Sequence, residues 1–290
     1  MSVATTASPP PGAAADWTIP QGWQSYTRED HGVWLTLYER QSKVLPGRAC
    51  DAFLNGLRAL DLHGAGIPNF ERMSEKLHAL TGWQVVAVPG LVPDEVFFEH
   101  LANRRFPAGN FIRRPDQLDY LQEPDVFHDV FGHVPMLTDP VFADYMQAYG
   151  EGGRRAMGLG RLHNLARLYW YTVEFGLMNT PEGLRIYGAG IVSSKAESVF
   201  ALEDASPNRI GFDLERVMRT PYRIDDFQQA YFVIPSIEAL LDASLQDFGG
   251  LYHRLPTMKD IPIEAITKTD KLFTRGSQQY AHAGGRQAAA

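Results

Sequence analysis

Residues 161–178 read RLHNLARLYWYTVEFGLM, the longest clean helical pattern in the chain. Leu162, Leu165, Ala166, Tyr169, Val173 and Leu177 recur at helical spacing and define one apolar stripe, as in a helix that buries a single face. Glu174 sits at the edge of that stripe, beside Val173 and four residues after Trp170. A carboxylate so placed is costly to bury unless a charge partner or a cation offsets its lost hydration. The surroundings of this helix and the partner of Glu174 decide the rest of the reading.

Outward from it, helical patterns dominate. Residues 28–43 carry Trp34, Leu35, Leu37 and Tyr38; 48–60 carry Ala49, Phe53, Leu57 and Leu60; 70–80 carry Phe70, Met73, Leu77 and Leu80. Further helices are expected over 93–103, near 194–200, and over 139–149, where Asp139 is a natural N-cap and Pro140 suits the first helical position. Only WQVVAVPG (83–90), closed by Pro89-Gly90, and part of IYGAGIVSS (186–194) look like strand and turn. The expectation is a mainly α fold with minor β in one domain, 17–272. The Pro/Ala-rich start, 1–16, and residues 273–290 read as loose tails.

Composition narrows the function classes. The chain has 290 residues, 44% hydrophobic and 21% charged, which is ordinary for a globular protein. A net charge of −7 without any basic run argues against a nucleic-acid partner. Cys50 is the single cysteine, so a disulfide framework, a thiolate zinc site and an iron–sulfur cluster within one chain are excluded. No apolar run reaches the length of a membrane span, and MSVATTASPPPGAAADW lacks the basic and apolar regions of a signal peptide. A soluble cytoplasmic protein, with no membrane partner, is expected.

FHDVFGHVP (127–135) places His128 and His133 five residues apart, with Gly132 before the second. In an unbroken α-helix the two would project ~140° apart around the axis. A helix from about Pro124 that stops at Gly132, in the left-handed conformation glycine tolerates, would free His133 to turn back toward His128. Pro135 discourages continuation, and Glu-x-x-His of the helical zinc proteases is absent. Two neutral imidazoles with Glu174 would make a facial triad, the donor set of non-haem Fe(II) sites that activate O2, although zinc can take the same ligands. Histidines among apolar residues are more often hydrogen-bonded core groups, and a single Glu more often faces solvent. Spacing alone leaves both readings open.

Four motifs taken together resemble one family: FFEHLANRRFP (97–107), PDVFHDVFGHVP (124–135), LARLYWYTVEFGL (165–177) and IYGAGIVSSKAE (186–197). They are similar to the catalytic domain of the pterin-dependent aromatic amino acid hydroxylases, and the likeness spans roughly residues 34–248. The resemblance implies one Fe(II) and a tetrahydropterin as cofactors. It also implies a monooxygenase reaction in which L-phenylalanine, O2 and reduced pterin give L-tyrosine and a 4a-hydroxypterin. The iron ligands carry over to His128, His133 and Glu174, with Asp129 as an acid near the pterin and iron-bound water. The pterin contacts fall on Gly90, Leu91, Val92, Phe97, Ala166 and Tyr169. Arg113 matches the arginine that takes the substrate carboxylate, and Asp125 the acid that holds it. Neighbouring Arg114 reads as a surface charge, although sequence alone does not separate the two arginines. Pro124, Trp170, Phe175, Gly190 and Ser193 match the side-chain pocket, and Glu197 a glutamate near the amino acid end.

Trp170 and Ile224 (in YRIDDF) stand where the family favours phenylalanine over tryptophan and tyrosine respectively; hydroxylation of those two rings is the alternative within the family. The regulatory domain and tetramerisation helix of animal members have no counterpart, with no heptads after residue 250, so a monomer is expected. Rivals outside the family's chemistry are a zinc hydrolase on the same two histidines and glutamate, and a non-catalytic sensor of amino acid or pterin.

Overall fold

The computed structural model describes residues 8–63, 66–119 and 123–283. Its first part is helical for local reasons. α1 (Arg28–Val44) starts at a capping box, in which Thr27 and Asp30 exchange side-chain and backbone bonds, and it buries Val33, Trp34, Leu37 and Gln41. α2 (Asp51–Ala59) is shorter than its 48–60 pattern, because the Cys50 N–H goes instead to the Ile186 carbonyl. α3 (Phe70–Thr81) is capped by Asn69 and ends at Gly82, whose φ of 76° is left-handed. β1 (Gln84–Val88), α4 (Asp94–Ala102) and β2 (Arg105–Gly109) form a parallel β-α-β unit.

The next segment departs from the α-helix. Phe127–His133 is wound as a π-helix, not as an α-helix from Pro124 that breaks at Gly132. Gly132 is not among the glycines of positive φ, so the left-handed turn expected there is corrected. The wider i→i+5 winding itself brings residues five apart onto one face. On the opposite face Phe127 and Phe131 stack at 4.6 Å and anchor the segment against Trp34 and Phe53, all buried.

α5 (Pro140–Gly158) begins where expected, with Asp139 Oδ1 accepting from the Val141 and Phe142 N–H groups, and runs well past residue 149. The 161–178 stretch is not one helix. α6 (Leu162–Tyr169) passes into a π turn, Trp170–Glu174, where the Phe175 N–H reaches the Trp170 carbonyl at 2.8 Å. The chain then leaves helical geometry because the Gly176 carbonyl accepts from the Tyr187 and Gly188 N–H groups. β3 (Leu177–Thr180) follows and forms a hairpin with β4 (Gly183–Ile186).

IYGAGIVSS holds the end of β4 and then a short helix, α7 (Ala189–Val192); α8 (Lys195–Glu203) follows, capped by Ser194. The remaining elements are β5 (Asn208–Gly211), α9 (Leu214–Met218), β6 (Ala230–Ile234), α10 (Ile237–Ser244), α11 (Phe248–Arg254), β7 (Leu272–Thr274) and α12 (Gln279–His282). Five strands make a mixed sheet in the order β4-β3-β6-β5-β7, with β6 parallel to both neighbours and fully buried at its centre. Most of this sheet escaped the sequence reading, but the class, mainly α with minor β, agrees.

Both expected tails are shorter in the structure. Leu272–Thr274 pairs with β5, Gln278 Nε2 donates to the Ser206 and Gln229 carbonyls, and Tyr280 Oη bonds Asp226 at 2.8 Å. The chain is therefore held in place as far as Tyr280, and 284–290 lie outside the described residues. At the other end Asp16 pairs with Arg105 at 2.9 Å, while 1–7 lie outside the described residues.

Candidate active site

The two π segments face each other across one point. His128 Nε2 and His133 Nε2 lie 3.3 Å apart, and the Glu174 carboxylate is 3.5 Å from the first and 3.2 Å from the second. Among the described residues these three form the group of donors able to share one metal ion, all within 4.8 Å of one another. Ligands at right angles and 2.0–2.2 Å from one cation would themselves stand roughly 3 Å apart, close to this spacing.

Hydrogen bonds fix the donor atoms. Ser193 Oγ gives its single proton to the Ala189 carbonyl at 2.7 Å. It must therefore accept from His128 Nδ1 at 3.0 Å, which leaves the Nε2 lone pair aimed at the cluster. Burial pushes His128 down to about 4 despite the nearby Glu174 carboxylate, so the ring is neutral at pH 7. Burial also opposes ionisation of Glu174, but the histidines and the Gly190 N–H outweigh it and hold the carboxyl below its ordinary range. His133 Nδ1 is buried without a partner; that ring is held by packing against Phe106 at 5.0 Å and Tyr169 at 6.2 Å. The Nε2 atoms of two imidazoles and a carboxylate converge on one point, an arrangement that a divalent cation satisfies. The chemistry of the donor set thus fits iron.

Close backbone approach holds this geometry. A Cβ on Gly132 would lie 3.0 Å from the Ala189 carbonyl oxygen, and one on Gly188 would lie 2.5 Å from that of Glu174. These glycines let α7 sit directly on both π segments. Asp129, on the same π-helix, accepts from the Gly109 N–H at 2.7 Å, and burial pushes its carboxyl up to about 7.

A cavity of about 730 Å³ opens beside the cluster. Of the residues nominated from sequence, His128, Glu174, Leu91, Arg113, Pro124, Trp170, Phe175, Gly190, Ser193 and Glu197 line it. Arg113 is 9% exposed and Asp125 0%: Nε and Nη2 each donate to Asp125 at 2.8 Å, and Asp125 also accepts from the His128 N–H. Burial raises the Asp125 carboxyl, but Arg113 more than offsets this and holds it below its usual range. Arg114, by contrast, pairs with Asp116 at the surface, so the structure separates the two arginines. Glu197 is buried and accepts from the Tyr231 hydroxyl and the Gln228 N–H.

Gly90, Val92, Phe97, Ala166 and Tyr169 do not line this cavity, nor do His133, Asp129 and Asp125. Phe97 instead meets Tyr169 edge-on at 5.7 Å, and Tyr169 stacks toward His133, so aromatic rings lead from α4 to the cluster. Sequence reasoning passed over Gln41 and Gln228, both buried and both on the cavity wall. Gln41 had a signal, a polar residue on the apolar stripe of α1; Gln228 had none. A second groove of about 870 Å³, between Trp23, Phe70 and Arg105, contains none of the three donors.

The sequence pattern of the biopterin-dependent aromatic amino acid hydroxylases matches residues 18–269. The chain is 73% identical over 282 residues to a phenylalanine-4-hydroxylase of Caulobacter vibrioides, covering 97% of this chain and 96% of the relative. Among solved structures, phenylalanine hydroxylase from Chromobacterium violaceum with bound iron and phenylalanine superposes with a TM-score of 0.87 at 56% identity, over 92% of this chain and 97% of that one. The same protein with bound iron(III) and oxidised 7,8-dihydrobiopterin gives a TM-score of 0.87 at 59% identity, over 92% and 95% of the two chains. The donor cluster, the arginine-walled cavity and these similarities converge, and the chain belongs to the biopterin-dependent aromatic amino acid hydroxylase family.

Proposed function

We infer that the chain is an iron- and tetrahydropterin-dependent monooxygenase that converts L-phenylalanine to L-tyrosine with O2. The observation that carries this reading is the triad of His128, His133 and Glu174, of which His128 and Glu174 line a cavity that also presents Arg113. Iron and the pterin, when bound, supply the activation of O2 for insertion of one oxygen atom into the ring.

The chain's own residues supply position and protection. His128 Nε2, His133 Nε2 and the Glu174 carboxylate would hold the metal and leave its other positions open. Asp125 takes two of the five N–H donors of Arg113 and leaves the others for the carboxylate of the amino acid. Pro124, Trp170, Phe175, Gly190 and Ser193 would surround the ring, and Glu197 would stand near the amino acid end. Gly90, Leu91, Val92, Phe97, Ala166 and Tyr169 form the proposed pterin side, next to His133 through Tyr169. Asp129 has one oxygen committed to the Gly109 N–H and one left for water or pterin. Apolar walls exclude water, which keeps the oxidising equivalents for the ring.

The test is tyrosine formation from phenylalanine with a tetrahydropterin, with and without added Fe(II). Turnover that requires both is expected; turnover independent of iron, or none, would overturn the reading. A cytoplasmic location and a monomeric state belong to the same proposal. Light scattering giving a mass near 32.4 kDa would bear out the second.

A further inference from the structure

Gln228 has no part in the reading above, yet it is 3% exposed and fully committed at one corner of the cavity. Its Oε1 accepts from Trp170 Nε1 at 3.0 Å, and its Nε2 donates to the carbonyls of Arg223 at 2.9 Å and Asp226 at 3.2 Å. Its own N–H goes to Glu197 at 3.2 Å. The amide has one sensible orientation, because an indole N–H can only donate and two carbonyls can only accept.

The indole needs such a partner for a geometric reason. Trp170 stacks on Tyr222 at 4.4 Å with planes 14° apart. Stacking fixes the plane of the ring but tolerates a half-turn about Cβ–Cγ, which keeps that plane and exchanges the indole edges. The hydrogen bond to Gln228 removes that freedom and decides which indole edge meets the substrate ring. The same side chain grips both sides of Ile224, which also lines the cavity.

We infer that Gln228 is a positioning residue for substrate selectivity, acting through the Trp170 indole that it pins in the wall of the side-chain pocket. The inference rests on the assignment of this cavity to the amino acid substrate. Gln228 touches neither the metal cluster nor the reacting ring; it sets how closely the wall fits one aromatic side chain and excludes a larger one.

The experiment compares L-phenylalanine with L-tryptophan, by kcat/KM of the iron-loaded enzyme and by calorimetric binding of each amino acid. Gln228→Met keeps the length and removes the side-chain bonds. It is expected to lower discrimination for phenylalanine about fivefold, the scale of one neutral hydrogen bond, with iron content unchanged. In a Trp170→Phe background, where no indole N–H remains, the same substitution is expected to leave discrimination where that background sets it. An equal shift in both backgrounds, or no shift in either, would overturn the inference. Should Gln228→Met fail to fold, Gln228→Asn, one methylene too short to keep the indole bond, is expected to shift selectivity in the parental chain and not in the Trp170→Phe background; an equal shift in both would overturn the inference. An unaltered chain that forms no tyrosine would refute the functional reading instead, so the two failures are distinguishable.

Discussion

α5 and the two π segments are built from similar residues and differ in what fixes them. α5 is set by its own sequence: Asp139 satisfies the first N–H groups, Pro140 fits the first turn, and the helix carries no proposed site residue. The π segments carry His128, Asp129, His133, Trp170 and Glu174, and no local feature of their sequence calls for wide winding. Tertiary contacts hold them: Phe127 and Phe131 against Trp34 and Phe53, Gly132 against Ala189, and Gly188 against the Glu174 carbonyl. The contrast teaches where the fold departs from the default helix. It does so at the two turns that bring the donors together, and packing offsets the poorer backbone geometry.

The largest effect expected comes from removing a donor. Glu174→Gln keeps shape and packing but deletes the charge that faces two imidazoles. Bound iron should fall to background by metal analysis, with tyrosine formation lost and far-UV circular dichroism unchanged. Full iron content in that variant would show that the π segments do not exist to hold the metal.

Gly132→Val attacks the winding without touching a donor. Its Cβ would press on Ala189 at 3.0–3.2 Å, which overpacking data place at about 1–3 kcal/mol in denaturant unfolding. Iron affinity should weaken as well, because His133 is the next residue. Gly132→Ala should act in the same direction, and adding Ala189→Gly should recover part of the loss, since it removes one of the opposing atoms. No recovery would place the role of this glycine elsewhere than in contact with α7.

Ser193→Ala is subtler. It removes the acceptor that holds His128 Nδ1–H, and partners of this kind are worth about 10–100-fold in metal affinity. A competition titration against a chelator would measure it, and an unchanged affinity would mean that packing alone orients His128, as it orients His133.

How much was legible follows the same division. Helix starts at Arg28, Phe70 and Pro140 could be read because caps and stripes act over a few residues. His128, His133 and Glu174 could be nominated because residue type limits what a buried donor can do, and the motifs then joined them. The π winding could not be read, since over a single turn both α and π windings place residues four apart near one face. The sheet was mostly missed because β3 meets β6 across a long sequence separation, Leu177 opposite Val233. Gln228 likewise gains its meaning from Trp170, a residue far away in the chain.

The smallest effect tests the other half of the contrast. Asp139→Ala removes a cap whose Oδ1 serves two backbone N–H groups, and such caps are worth about 1 kcal/mol. The denaturant midpoint should drop accordingly, while iron affinity and kcat/KM for phenylalanine stay at parental values, because the cap belongs to a scaffold that the donors do not touch. A loss of iron affinity as large as that of Ser193→Ala would mean that the start of α5 and the π segment just before it, which ends at His133, respond as one unit. The helix set by its own sequence would then not be independent of the turns set by packing.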